Sequence, residues 1–260
     1  MKISIITATF NSEKTLRDTI ESILSQTYSN IEYIIVDGIS KDNTLDIIKE
    51  YESKFNGRLR WISEKDNGLY DAMNKGIKMA TGDVIGILNS DDLLLNSEVI
   101  EKYAAAFDDQ TDAIFSNLYF VKAKDISKVV RVWKGSPYKS FLKGWHPAHP
   151  TFYVRKSIYD KLGGFDISFD VSADFELMLR FIEKEKIRTK YLDLFSVKMR
   201  MGGESTKSLK NILKGNKNIF RAFRKNGLNV NYLYTVRRFT PKLLNLMKGK
   251  VPYLKSKSLR

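Results

Sequence analysis

Apolar and polar positions along the chain fall into blocks of two kinds. Short runs rich in β-branched residues read as buried strands, and longer runs with apolar residues every three or four positions read as amphipathic helices. "KISIITATF" (Lys2 to Phe10) is the first strand, and "TLRDTIESILSQT" follows with Leu16, Ile20, Ile23 and Leu24 at helical spacing. "IEYIIVD" (Ile31 to Asp37) is a second strand, and "TLDIIKEYESKF" a second helix with Leu45, Ile48 and Tyr51 on one face. "LRWIS" (Leu59 to Ser63), a helix marked by Tyr70, Met73, Ile77 and Ala80, and the strand Val84 to Leu88 continue the series. Strands alternating with helices of about a dozen residues predict βαβ units and a parallel sheet, hence an α/β fold.

After Asp92 the alternation loosens. "AIFSNLYFVKAK" and "KVVRVWKG" predict an antiparallel excursion, followed by helices near Lys156 to Leu162 and Asp174 to Glu185 and a strand near Tyr191 to Lys198. Polar groups gather at strand ends: Asp37 ends the second strand, Asp66 follows the third, and Asn89, Asp91 and Asp92 follow the fourth. Open α/β sheets bind ligands at the carboxyl ends of their strands, so these residues are expected to converge on one edge.

The 260 residues suffice for a large core in one domain, with or without an appendage. The absence of cysteine excludes disulfides and thiolate zinc sites and fits a reducing compartment. No apolar run approaches the roughly 20 residues that cross a bilayer, and the start lacks a signal-peptide pattern, so a cytoplasmic location is expected. The net charge of +14 is unevenly placed. From Lys207 to Arg260 there are ten Lys, five Arg and no acid; the first 206 residues hold 44 − 15 = 29 basic and 30 acidic side chains. Such asymmetry predicts that the tail meets something anionic.

Adjacent carboxylates repel and lose hydration beside a core, so Asp91 and Asp92 need a reason. Closely spaced carboxylates after a strand can seat Mg²⁺ or Mn²⁺. The alternative is a helix N-cap, but a cap needs one acid, and Ser97 offers a capping side chain. Asp37 at a strand end can accept the ring N–H of a base such as uracil, or serve as a turn residue, since Asp-Gly is a strong turn pair. Asp66 stands in a similar turn, with Asn74 and Lys75 on the following helix near the same edge.

"SIITATFNSEKTLRDTIESILSQTYSNIEYIIVDGISKDNT" and "EKDNGLYDAMNKGIKMATGDVIGILNSDD" together resemble the nucleotide-binding half of the family 2 glycosyltransferases, closely over Lys2 to Leu95 and onward to about Ser205. The resemblance implies a GT-A fold, a Rossmann-like mixed sheet flanked by helices, in a domain over residues 1–205. It also implies inverting, metal-assisted transfer of a hexosyl-type sugar from a nucleotide diphosphate. On that pattern Thr7, Ala8, Thr9 and Asn11 match the base-contacting first loop, Asp37 the base-reading acid and Asp66 a second nucleoside contact. Asn74 and Lys75 join the nucleotide site. Asn89 to Asp91 match the DxD motif. Asn89 replaces its first acid and is a weak metal ligand, so the metal falls chiefly to Asp91, with Asp92 auxiliary. Asp174, before "FELMLRF", matches the general base, with Ala173 where a preceding acid is usual; its alternative role is an N-cap. His149 in "GWHPAHPTFYV" is expected in the acceptor pocket or, alternatively, in a plain turn between prolines. "RMGGESTKS" can close on the diphosphate through Arg200 or Lys207, or be a plain connection.

Residues 206–260 form a basic helical extension. Leu209, Ile212, Leu213, Ile219, Phe220 and Phe223 fall near one helical face, with Lys and Arg mostly elsewhere. Such a helix rests on anionic bilayers, with Phe220 and Phe223 inserted, or packs on the body with a solvated basic face. The leading expectation is an enzyme on the inner face of the cytoplasmic membrane. It would move sugar, from a UDP-sugar by preference, to a lipid-linked saccharide in O-antigen, capsule or exopolysaccharide synthesis. A nucleic-acid-binding protein is the alternative suggested by the charge, but the basic residues lie outside the neutral body and no common reader motif is present. A nucleotidyltransferase would be expected to carry a Gly-rich basic loop where "TATFNSEKT" stands.

Overall fold

The computed structural model describes residues 1–202, 209–230 and 234. Its strands are β1 (Ile3–Thr9), β2 (Ile31–Asp37), β3 (Leu59–Ser63), β4 (Val84–Ile87), β5 (Leu93–Leu94), β6 (Ala113–Lys122), β7 (Asp125–Trp133), β8 (Tyr153–Arg155) and β9 (Thr189–Arg200). The helices are α1 (Leu16–Leu24), α2 (Thr44–Glu52), α3 (Leu69–Met79), α4 (Val99–Ala106), α5 (Lys156–Leu162), α6 (Ala173–Met178) and α7 (Leu209–Lys225), with a π-helical turn, Leu179–Lys184, extending α6.

All strands join one sheet in the order β3-β2-β1-β4-β8-β6-β9-β5, with β7 paired to β6. β1, β2, β3 and β4 run parallel, as the βαβ pattern predicts. At β8 the direction reverses, because β4 and β8 pair antiparallel. β6 and β7 form the expected antiparallel hairpin, and β9 lies parallel to β6. Pairing sets Thr9 beside Asp37 and Asp37 beside Ser63, so three strand ends form one row at the carboxyl edge.

Successive residues of β1 feed opposite faces. Ile3 and Ile5 pack with Leu16 and Ile20 of α1 and Ile48 of α2. Ile6 and Ala8 pack with Met73 and Ile77 of α3 and with Phe175 of α6. Each fully buried Ile contributes about 1.5–3 kcal/mol, so this two-sided burial holds the edge row in place. Gly86 sits opposite Tyr153, and a Cβ there would lie 2.2 Å from the Tyr153 ring, so β4 and β8 can approach only through glycine.

Part of the apolar face of α7 packs on the body, the alternative to bilayer contact, while Leu213 is 70 % exposed. Ile219, Ala222 and Phe223 are buried in the body, with the Phe223 ring 5.8 Å from Phe175 and 5.0 Å from Tyr234. Phe223 therefore has no surface to insert. Lys214 pairs with Asp170, Lys225 with Asp166, and Arg221 donates to the Ser168 carbonyl at 2.9 Å. The acids that offset these bases come from a loop far away in sequence, which the run itself could not reveal. Lys207, and the side chains of Leu209 and Ile212, lie outside the described residues.

Candidate active site

The row at the carboxyl edge is built around Asp37. Its carboxylate is fully buried and accepts from the Ser40 hydroxyl (2.5 Å), the Ser40 N–H (3.0 Å) and the Ser63 hydroxyl (2.6 Å). Asn11, at φ +49°, accepts from the Lys41 N–H at 2.8 Å and donates its own N–H to Ser40. The loops after β1 and β2 are thereby stitched together, with Asp37 as their hub. Thr7 donates to the Leu88 carbonyl at 2.8 Å and ties β1 to the end of β4. Ala8 is buried, and the buried Thr9 hydroxyl has no hydrogen-bond partner.

Beside this hub lies an open surface. Phe10 is 60 % exposed, and a Cβ on Gly38 would meet an Asp66 carboxylate oxygen at 2.6 Å and the Phe10 ring at 3.5 Å. An exposed aromatic face, a bare backbone and a carboxylate stand together there, which suits a flat ring carrying N–H donors. Sequence reading had marked Asp66 but not Phe10, which looked like the end of a strand.

The turn after β4 is organised differently from expectation. Asp92 is 1 % exposed; one oxygen accepts from the Asn89 amide at 2.8 Å and the other from the Arg200 N–H at 3.2 Å. Burial, and then the neighbouring Asp91 charge, push its pKa well above the usual carboxylate range, against the pull of Asn89 and Arg200. In this arrangement Asp92 braces the turn, and Asp91 is the more accessible carboxylate for a divalent ion. The amide nitrogen of half-buried Asn89 takes part in the same brace. Arg200, expected at the diphosphate, is buried behind the turn, paired with Asp18 and donating to the Asp91 carbonyl at 2.6 Å. Ser97 caps nothing: α4 begins without a side-chain cap. Asp91 stands partly exposed at the tip, beside the equally half-buried Asn89 and Ser90. Among the described residues no group of three metal-ligating side chains occurs. A single carboxylate still fits Mg²⁺ or Mn²⁺, which are commonly held by one or two carboxylates together with substrate phosphates and water.

A second cluster forms around α6. The Tyr70 hydroxyl donates to Asp174 at 3.3 Å, and the Tyr70 ring stacks on Phe165 with centroids 5.4 Å apart. His149 meets Phe165 edge-on at 5.6 Å. Burial lowers the His149 pKa below 6.5 against the opposing charge of Asp174, so the imidazole is neutral near pH 7. Asp174 is in the first turn of α6, whose N-cap is Ser172, so the cap role is not its own. Two residues expected in the nucleotide site have protein partners in this structure. Asn74 clamps the backbone of Phe165, and Lys75 pairs with Glu64 (2.8 Å) and donates to the Lys65 carbonyl (2.6 Å). Tyr70 and Phe165 were missed because their spacing marks them as core, which is also true of their rings.

Residues 4–183 match the model of Glycosyl transferase family 2. A PGL/p-HBAD biosynthesis glycosyltransferase of Mycobacterium bovis is 27 % identical over 192 residues, 73 % of each chain. Among solved structures, Staphylococcus aureus TarS in complex with UDP-GlcNAc superposes with a TM-score of 0.67 at 20 % identity, over 96 % of this chain and 77 % of that one. The mannosyltransferase PcManGT of Pyrobaculum calidifontis, in complex with GDP-Man and Mn²⁺, superposes with a TM-score of 0.65 at 17 % identity, over 92 % and 69 %. These superpositions match the mixed sheet and its flanking helices to the GT-A fold. The chain belongs to glycosyl transferase family 2.

Proposed function

We propose that this glycosyltransferase moves a sugar from a UDP-sugar to a lipid-linked saccharide, with inversion at the anomeric carbon, in the synthesis of a cell-surface polysaccharide or glycolipid. The observation that carries this reading is the open aromatic and acidic edge beside buried Asp37. An open aromatic and acidic edge (Phe10, Gly38, Asp66) and the Asp91 tip suit a nucleotide diphosphate. Asp174 stands in the separate cluster with Tyr70 and His149. Asp37 supports the base pocket by fixing its floor, and Thr7, Ala8, Thr9 and Asn11 shape the adjoining loop.

Asp91 would hold the divalent ion, which when bound neutralises charge on the leaving diphosphate. Asp174 takes the proton of the acceptor hydroxyl as that oxygen attacks, and a single displacement inverts the anomeric carbon. His149, neutral and half-buried against Phe165, lines the acceptor side. The Mycobacterium bovis relative, whose name places it in PGL/p-HBAD biosynthesis, supports a role in the assembly of a glycoconjugate. No helix among the described residues is long and apolar enough to cross a membrane, so contact with an anionic cytoplasmic surface would fall to exposed bases such as Lys217 and Arg224 and to the residues beyond 234.

The test is incubation with a panel of nucleotide sugars and Mn²⁺, following hydrolysis of each donor. UDP-sugars are expected to be consumed slowly and selectively. Preference for GDP-sugars would replace the donor assignment, and salt-sensitive binding to duplex DNA without any donor turnover would overturn the reading.

A further inference from the structure

We propose that Tyr70 is a positioning residue for the base: its O–H, donated to one oxygen of Asp174, holds that carboxylate so that the other oxygen receives the acceptor's proton. This rests on the reading of Asp174 as the base. α6 starts at Ala173, and its N-cap, Ser172, sits at φ +70° with no side-chain cap bond. The Tyr70 phenol lies beside this helix start and donates its proton to Asp174 Oδ1. At 3.3 Å the bond is long, as catalytic hydrogen bonds often are before substrate binds.

The phenol is itself held. Its ring stacks on Phe165, whose backbone is clamped by Asn74 through two bonds of 2.8 Å. Burial and the Asp174 charge keep the phenol protonated far above neutral pH, so it donates throughout the working range. The other titratable neighbour facing Asp174 is His149. Glu176 on the same helix is turned to Arg180 and Asn226, and Asp170 to Lys214 and Asn218. Among the described residues, Tyr70 is therefore the donor that fixes the carboxylate. In the transfer, a bond forms between the acceptor oxygen and the anomeric carbon while the bond to the diphosphate oxygen breaks. The electron pair leaves with the nucleoside diphosphate, and the proton ends on the Asp174 oxygen turned away from Tyr70.

Tyr70→Phe keeps the ring stack and removes only the O–H. Losing a hydrogen bond to a charged group should lower kcat about 10- to 100-fold, while the donor KM moves less than about twofold. The acidic limb of the pH–rate profile should move to higher pH, because a bond that favoured the ionised carboxylate is gone. In 3-fluorotyrosine at position 70, a stronger donor of the same shape, the limb should move the other way. A lower thermal midpoint with unchanged kcat and an unmoved limb in both variants would leave Tyr70 as a packing residue and overturn the proposal. Asp174→Asn is measured alongside. If it turns over like the parent, the base assignment fails, whatever Tyr70→Phe does.

Discussion

Asn74 and the backbone of Phe165 bond in both directions: the amide nitrogen donates to the Phe165 carbonyl, and the amide oxygen accepts the Phe165 N–H, each at 2.8 Å. Gly164 leaves room for this, since a Cβ there would lie 2.2 Å from the Asn74 oxygen. Asn74→Asp replaces the donating group with an oxygen that repels the carbonyl, at a cost of about 1–3 kcal/mol. Thermal unfolding should show that loss, and turnover should fall. UDP affinity by calorimetry should stay put, whereas a nucleotide-contacting Asn74 would weaken it.

The two acids after β4 should separate cleanly by mutation. Asp91→Ala should abolish the Mn²⁺ dependence of UDP binding and leave the unfolding midpoint near the parent's, because it removes a partly exposed charge. Asp92→Ala should instead lose about 2–4 kcal/mol of stability, since it empties a buried site and strips partners from Asn89 and Arg200. Paired calorimetric titrations and denaturant melts check this. Equal loss of metal-dependent binding at equal stability in both variants would restore Asp92 as a ligand.

Glu32 predicts acid sensitivity. It is 3 % exposed and accepts from Ser4 (2.6 Å), Thr81 (2.8 and 2.9 Å) and Arg60 (3.1 Å). Burial alone would raise its pKa; these bonds outweigh it and hold the value at about 2, against 4.5 for a free glutamate. The folded value is depressed, so the stabilisation is complete above the unfolded pKa and is lost as pH falls from 4.5 towards 2. Urea midpoints of the parent should decline over that window. Glu32→Gln should be less stable at neutral pH and flatter below it.

Phe223→Ala should cost about 3–5 kcal/mol, as for other fully buried aromatic residues, because its ring lies between Phe175 and Tyr234. Vesicle co-sedimentation in high salt should not change, since the residue has no exposed surface. A drop in salt-resistant sedimentation at unchanged stability would return it to the membrane.

The parallel half of the fold was legible because each of its elements carries its own period: β1 alternates faces, and α1 and α3 repeat every three or four residues. The hairpin of β6 and β7 was legible for the same reason. β8 showed only as the short strand-like "TFYV", and β5 not at all, being two residues long and held by a partner distant in sequence. The site divided along the same line. Asp66, Asp91 and Asp174 stand out as polar residues at strand or helix ends. What Asp92, Asn74, Arg200 and Lys75 do depends on which backbone group each meets, and composition carries no record of that. A basic run likewise says nothing of Asp166 and Asp170, which pair with it only after folding.

The pairing of β5 with β9 also bears on how the enzyme is made. Arg200 reaches back 108 residues to Asp92, and the Leu95 N–H is bonded to the Ser196 carbonyl. Synthesis on a ribosome is vectorial, so the parallel half can begin to fold while β9 is still inside the exit tunnel. The Asp91 tip has no buttress at that stage. A nascent chain should therefore acquire its nucleotide edge early and its diphosphate end late. Stalled chains ending just before and just after β9 should differ in hydrogen-exchange protection at Leu95, whose N–H is bonded to Ser196, and hardly at all within β1.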